Sequence, residues 1–522
     1  MKKRWIVFCA AALFAAGCAS ALDEAKAAPK TAVEKIRQLR ETVDFNHAVR
    51  SHSMIDFSRG AFAGKIEKVL VNGKPNRWYR NGVTVSLRPE NGWREGLNEV
   101  TVRADGRDYT MYVSHYKYIP TVGDYSNEIS LVNGKPFTPL AIFAVDIRQI
   151  RDAAKFGFNV FHNYTMTRME DQYPMKEFLD AVHSVNGYAM IHLQHLRIAA
   201  SDYKPVMERV VKYMNHPATY WWYLFDEPGI FGVDVEQLTF FNDMIRKLDP
   251  YHNVVSSSWY QGKFQDSVDV DIPQWYHGHA AGMAKTSSEY RRNAAEQWHN
   301  MQYLPILNTH DSAFGIESQG SLNPNSFYDE VVNGKKRGDY PKDSPEYQDA
   351  ERRALSVVNN PDKPFKKPTA TYPGSIERMR GQVAVSILSG ANGLIYWLYS
   401  DQKLNPRWGI YTVFNPKKNR AEFTRTMKEV KAFAPYFNGF THGAQLKREG
   451  NLWYGFKKVD GKSILILVNV SKQPVSGTLE LPGAPSDLYR DNETPVRLNG
   501  GKLDYSLAPD EGRFYASEIL KR

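Results

Sequence analysis

Two adjacent carboxylates, Asp226 and Glu227, end the run Tyr220-Trp221-Trp222-Tyr223-Leu224-Phe225, and Pro228 follows them. Carboxyl groups give and take protons, so an acid pair held at one point is a candidate for acid/base chemistry. The six residues before the pair carry no charge and read as a strand buried on both faces. Pro228 cannot continue a hydrogen-bonded ladder, which leaves both acids at the strand's C-terminal end. Parallel strands of a (β/α)8 barrel deliver catalytic groups at that end. The competing reading is a loop pair that caps the helix beginning near Asp234, since Asp is a favoured N-cap.

The elements around the pair favour the barrel. After Pro120 apolar strands alternate with helices: strands over 139–145, 159–164, 188–193, 220–225, 254–258, 268–276, 303–308 and 393–398. Helical spacing is found over 147–156, 175–185, 205–214, 287–301, 375–388 and 421–434, and from Asp234 with Leu238, Phe241, Ile245 and Leu248 on one face. Gly157 and Gly187 stop two of these helices. The fold class expected is α/β, a (β/α)8 TIM barrel over 119–438, interrupted by a long insertion at 309–374 rich in Asn, Pro, Lys and Gly. Short strands with turns at Asn72-Gly73 and Asp105-Gly106 predict an N-terminal immunoglobulin-like β-sandwich over 49–118. A C-terminal β-sandwich is expected over 439–522.

The N-terminus predicts export. Lys2, Lys3 and Arg4 precede an apolar stretch, Trp5 to Ala16, too short to span a bilayer. Ala15-Ala16-Gly17-Cys18 resembles the lipobox of bacterial lipoproteins, which implies a signal peptide over 1–17 and a lipid on Cys18. An ordinary cleaved signal peptide is the alternative. Ala19 in place of an Asp implies the outer membrane, and 18–48, rich in Ala, Lys and Glu, reads as a tether, partly helical over 30–40. The other cysteine, Cys9, lies in the removed segment, so neither disulfides nor thiol chemistry are expected. Loss of Lys2, Lys3 and Arg4 lowers the formal charge from +10 to +7, compatible with an acidic polysaccharide and without a basic block for nucleic acid. Eleven Trp and 30 Tyr supply flat rings that stack on sugars, though large cores use them equally.

The order sandwich, barrel, sandwich, with an acid closing the fourth barrel strand, resembles the clan A glycoside hydrolases, especially those near family two. Leu131-Val132-Asn133-Gly134-Lys135-Pro136-Phe137 looks like the clan's opening hairpin, and Phe156-Gly157-Phe158-Asn159 like its first helix–strand junction. His216-Pro217-Ala218 leading into Trp222-Tyr223-Leu224-Phe225-Asp226-Glu227-Pro228 is similar to its fourth strand. Gly390-Ala391-Asn392-Gly393-Leu394-Ile395-Tyr396-Trp397 resembles its eighth. The resemblance implies that Glu227 is the general acid/base of O-glycosidic bond cleavage. Asp226 occupies a position where the clan typically has Asn on the sugar 2-hydroxyl, and an adjacent carboxylate would raise the Glu227 pKa. Tyr276 and Trp397 correspond to a tyrosine near the nucleophile and a tryptophan under the bound sugar, with barrel-mouth packing as the alternative. His162, Asn163, His192 and Gln194 end strands two and three and would meet sugar hydroxyls, while Trp222 would line the cleft. The pairs His192/His195 and His277/His279 lack a third ligand at metal spacing, so neither metal nor cofactor is expected.

The clan's nucleophile, a glutamate closing strand seven, has no counterpart in Leu307-Asn308-Thr309-His310-Asp311. Three alternatives stand. Asp311 or Glu317 acts as nucleophile in a retaining reaction, with carboxyls about 5–5.5 Å apart. Another acid serves an inverting one at about 6.5–9.5 Å. Or the barrel has lost hydrolysis, and the protein is a surface glycan-binding lipoprotein. An envelope structural protein is a further rival. The expectation is a lipid-anchored glycosidase of the cell envelope with a carbohydrate partner.

Overall fold

The computed structural model describes residues 29–58, 62, 64–126, 129–143, 145–163, 175–193, 195–229, 231–258, 264, 267–273, 280–296, 302–303, 306–308, 345, 372–391, 393–397, 417–440 and 446–521. Its centre is a sheet of nine parallel segments flanked by helices. Ladder neighbours run Gln302–Tyr303, Val270–Pro273, Asn253–Ser258, Thr219–Asp226, Tyr188–His192, Val160–His162, Leu140–Ile142, Leu394–Trp397 and Ile306–Asn308. The two ends of that order, Tyr303 and Ile306, are separated along the chain only by residues 304 and 305.

Both faces of this sheet are buried, and alternation along each strand sorts the side chains. Ala141, Val160, Met190, Trp221, Tyr223, Val255, Val270 and Ile395 form one apolar cluster. Their neighbours Leu140, Phe161, Ile191, Trp222, Leu224, Val254 and Leu394 join the larger cluster made with the helices. One of those helices, Val235–Leu248, starts with a capping box: Asp234 accepts from Glu236 N, and Gln237 reaches back to the Asp234 backbone. Helix capping there is therefore the work of Asp234. The antiparallel strands Gly123–Ser126 and Ile129–Val132 pack at the N-terminal ends of the parallel strands: Gly123 N donates to Tyr251 O, and Phe137, just beyond them, meets Tyr188 and Tyr220 edge-on. A Cβ at Gly123 would stand 2.3 Å from Tyr220 O, so the close approach needs glycine.

The N-terminal segment departs in part from expectation. The stretch read as a tether, 18–48, is folded from Pro29 onward: Pro29–Thr42 is a helix and Val43–His47 a strand parallel to Arg107–His115. Ala32 and Ile36, one turn apart, are buried, and Phe45 packs on Tyr112, Tyr203 and Phe240. These apolar residues are scattered among charges, and their partners lie far away in the chain. Beyond them a five-stranded and a three-stranded sheet share one core around Phe57, Val69, Val85, Trp93 and Val102.

At the C-terminus a six-stranded sheet does double duty. Leu452, Tyr454, Leu465, Leu467 and Tyr515 face a two-stranded ribbon, while Trp453, Ile464, Ile466, Val468 and Phe514 pack toward the helices of the central unit. The closest approach is backbone to backbone. A Cβ on Gly381, in the helix Tyr372–Leu388, would stand 2.0 Å from Asp510 O, and one on Gly512 2.6 Å from Arg380 O. Gly381→Ala should therefore lower the melting temperature, with an overpacking cost of about 1–3 kcal/mol or more because a main chain must move. Calorimetry of the variant checks this; an unchanged melting temperature would mean the junction is looser than described.

Candidate active site

The strand Thr219–Asp226 is continuous in apolar character but not in register. Tyr223 pairs with Val255 and Phe225 with Ser256, so Leu224 is an extra residue, a bulge. In a regular strand residues 223 and 226 would point to opposite faces. The bulge reverses the parity after Leu224, and Asp226 returns to the face of Tyr223, where Tyr223 Oη donates to Asp226 Oδ1 at 2.8 Å. Ser257 Oγ, on the neighbouring strand, donates to the same oxygen at 2.6 Å. Asp226 is thus clamped by two hydroxyls.

Glu227 takes φ of 54°, a left-handed conformation that costs a non-glycine residue about 1–2 kcal/mol. Its N–H is held by Ser257 O at 3.0 Å, so the strain is imposed by the neighbouring strand. Its side chain is only 2% exposed, and neither carboxyl oxygen has a hydrogen-bond partner among the described residues. A buried carboxyl without partners is disfavoured in its charged form. Burial first, and the neighbouring Asp226 second, push the Glu227 pKa up to about 8. A carboxyl so placed favours its protonated form at neutral pH.

The adjoining strands extend this polar layer. His162 and His192 are fully buried on the Tyr223 side, with His192 Nδ1 3.2 Å from His162 Nε2. At that contact one ring nitrogen donates and the other accepts. The His162 ring meets Phe143 at 4.3 Å and Tyr223 at 4.5 Å between centroids, both edge-on. One contiguous layer therefore runs from His192 through His162 and Tyr223 to Asp226 and Ser257, at the C-terminal ends of four successive parallel strands.

Trp222 is placed away from the expected cleft, and Asn163 is held by other residues. Trp222 lies on the helix-covered face: it is fully buried, and its Nε1 donates to Asp249 Oδ2 at 2.7 Å, beside His252 Nδ1 at 2.8 Å from the same oxygen. The strand's period of two sends it away from Trp221 and Tyr223. Asn163 has both ends of its amide engaged, Oδ1 by His192 N at 2.7 Å and Nδ2 toward Met175 Sδ at 3.6 Å. It braces two strands. Trp222→Phe should cost about 1–3 kcal/mol of stability by leaving Asp249 short of a donor. Thermal melts and saccharide titrations separate the two roles: a lost affinity at unchanged stability would return Trp222 to the cleft.

Of the other expected residues, Trp397 closes the strand Leu394–Trp397 opposite Asn308, with only its backbone described. Gln194, Tyr276, Asp311, Glu317 and Cys18 lie outside the described residues. Among the described residues no group of three metal-ligating side chains occurs, and no helix is long and apolar enough to cross a membrane. Sequence reasoning missed Tyr223 and Ser257. The one signal for the latter was the run Ser256-Ser257-Ser258 ending an apolar strand.

No protein-family model matches this chain, and no curated protein does. Solved structures give distant likenesses. A GH30 endoxylanase from Clostridium papyrosolvens C71 is 10% identical over 73% of this chain and 95% of its own, with TM-score 0.41. A putative alpha-galactosidase/melibiase from Bacteroides fragilis NCTC 9343 is 10% identical over 91% and 96%, with TM-score 0.42. A GH2 beta-galacturonidase from Eisenbergiella tayi is 12% identical over 72% and 71%, with TM-score 0.38.

Proposed function

We propose that this chain is a glycoside hydrolase acting on poly- or oligosaccharides. The observation that carries the reading is the Glu227 carboxyl: buried, without a hydrogen-bond partner among the described residues, held protonated, and set at the C-terminal end of a parallel strand. Glycosidic cleavage needs such a group, because the leaving oxygen must be protonated as positive charge develops at the anomeric carbon. Glu227 would donate that proton and then, as carboxylate, take one from water. Asp226, fixed by Tyr223 and Ser257, adds to burial the negative charge that helps keep the proton on Glu227 and would favour the developing cation.

In this reading the parallel sheet is a (β/α)8 barrel spanning 119–438 whose seventh strand consists of Gln302–Tyr303 and Ile306–Asn308. Tyr303 on one side and Ile306 on the other are the ladder ends that the chain joins. The two-sheet units before and after it are β-sandwiches. Asp311 or Glu317 is the proposed nucleophile of a retaining reaction, and Cys18 the proposed lipid site anchoring the protein at the outer membrane.

The test is reducing-end release from a panel of plant, algal and host glycans, with the anomer of the first product followed by NMR. Hydrolysis with retention supports the full reading, and inversion would remove Asp311 and Glu317 as nucleophiles. Saccharide binding with no turnover of any bound chain would replace the enzyme with a glycan-binding protein.

A further inference from the structure

Away from Glu227, a cavity of about 360 Å³ lies between two helices and the C-terminal sheet. This is within the range of small-molecule sites, about 300–1,000 Å³. Arg380 enters from the helix Tyr372–Leu388, while Arg425, Lys428 and Glu429 come from one side of the helix Lys417–Phe433. The third wall is the turn over 490–494, where Asp491 and Asn492 both adopt left-handed φ, 54° and 60°.

The charges are unevenly satisfied. Arg380 Nη2 donates to Glu429 Oε2 at 2.7 Å and to Asp491 Oδ1 at 2.8 Å, so one guanidinium engages two of the three acids of the lining, Glu493 being the third. Arg425 and Lys428, exposed at the rim, have no ion-pair partner among the described residues. Arg380 Nε, Arg490 Nε and Glu429 Oε1 also lack hydrogen bonds among the described residues, with Arg490 Nε 3.8 Å from Asp491 Oδ2 as a looser ion pair. Native proteins rarely leave such atoms unmatched, and three on one cavity call for an occupant. The two guanidinium N–H groups require an acceptor, and Arg425 and Lys428 add two cations at the rim. Threonines 424, 426 and 494 add hydroxyls to the same lining.

We infer that this cavity is a second saccharide site, separate from Glu227, that takes an acidic sugar through its oxyanion on Arg380, Arg490, Arg425 and Lys428. The oxyanion follows from the donors alone; that a sugar carries it rests on the proposed function. A carboxylate and a sulfate ester would present the same acceptor chemistry.

Full-length protein is titrated calorimetrically with a uronate oligosaccharide, a sulfated oligosaccharide, their neutral counterparts and sodium sulfate. The expected result is binding of one or both acidic chains that weakens as salt rises, with the neutral chains at least about ten-fold weaker. The double variant Arg425→Ala/Lys428→Ala, both at the rim and outside the core, should lose at least about ten-fold in affinity at unchanged melting temperature. Glu227→Gln should bind the acidic chains at this site as the parent does, so a failure of the hydrolase reading leaves this result readable. Equal affinity for neutral and acidic chains, or binding unaltered in the double variant, overturns the site. Sulfate ion binding as well as the oligosaccharides would reduce it to an anion site and overturn the sugar assignment.

Discussion

Glu227→Gln should lower kcat/KM on any glycan the protein cleaves by about 10²–10⁴-fold, the usual contribution of a positioned general acid/base. The substitution is nearly isosteric and keeps the polar end of the side chain, so folding and saccharide binding should survive. What it removes is the transferable proton. The parent should also lose kcat/KM as pH rises through about 8, because the carboxyl that must arrive protonated is then ionised. Rates for parent and variant between pH 5 and 9 decide the matter: full activity in the variant, or an alkaline limb that persists unchanged in it, would exclude Glu227 from proton transfer.

The second large effect is on stability and has a definite sign. The folded protein holds a proton on Glu227 up to about 8, against an ordinary carboxyl value of 4.5 that the unfolded chain would show. Between those values the native state binds more protons than the unfolded state, so stability falls as pH rises. The proton's contribution is complete below 4.5 and is lost as pH passes through about 8. One proton is worth about 1.4 kcal/mol per pH unit, which makes the total on the order of a few kcal/mol. Gln cannot ionise. Glu227→Gln should therefore match the parent near pH 5 and melt at a higher temperature near pH 9, a gain in stability at the cost of activity. Parallel pH–stability curves for the two proteins would show that the parent carboxyl is not buried without partners.

The left-handed φ of 54° at Glu227 belongs to the same pattern. A strained backbone and an uncompensated carboxyl coincide at one residue, and both are held there by the adjoining strand through Ser257. Such coincidences persist where the surrounding fold over-determines a conformation, and they cluster at sites of chemistry. The buried Asp249, His252 and Trp222 group offers a contrast. It is also polar and buried, but it sits under the helices and its bonds are largely satisfied, as expected of a structural brace.

Local sequence determined most of the central strands and helices, with shifted bounds for some, and where the acid pair falls among them. An uncharged aromatic run closed by Asp226, Glu227 and Pro228 can hardly be anything but a buried strand ending at the pair, and Asp234 with Gln237 sets the next helix start within a residue. These are short-range effects: alternation, proline's missing N–H, and a side chain capping its own turn. The tertiary structure decided which way side chains point and what they meet. A one-residue bulge at Leu224 brings Asp226 to Tyr223, and the regular period before it sends Trp222 to the opposite face. The helix Pro29–Thr42 was legible in part, over 30–40, but its docking depends on partners more than a hundred residues away, so it resembled a tether. The raised pKa of Glu227 likewise depends on water being excluded by strands the chain supplies later. Burial is a property of the whole assembly, and no window of sequence contains it.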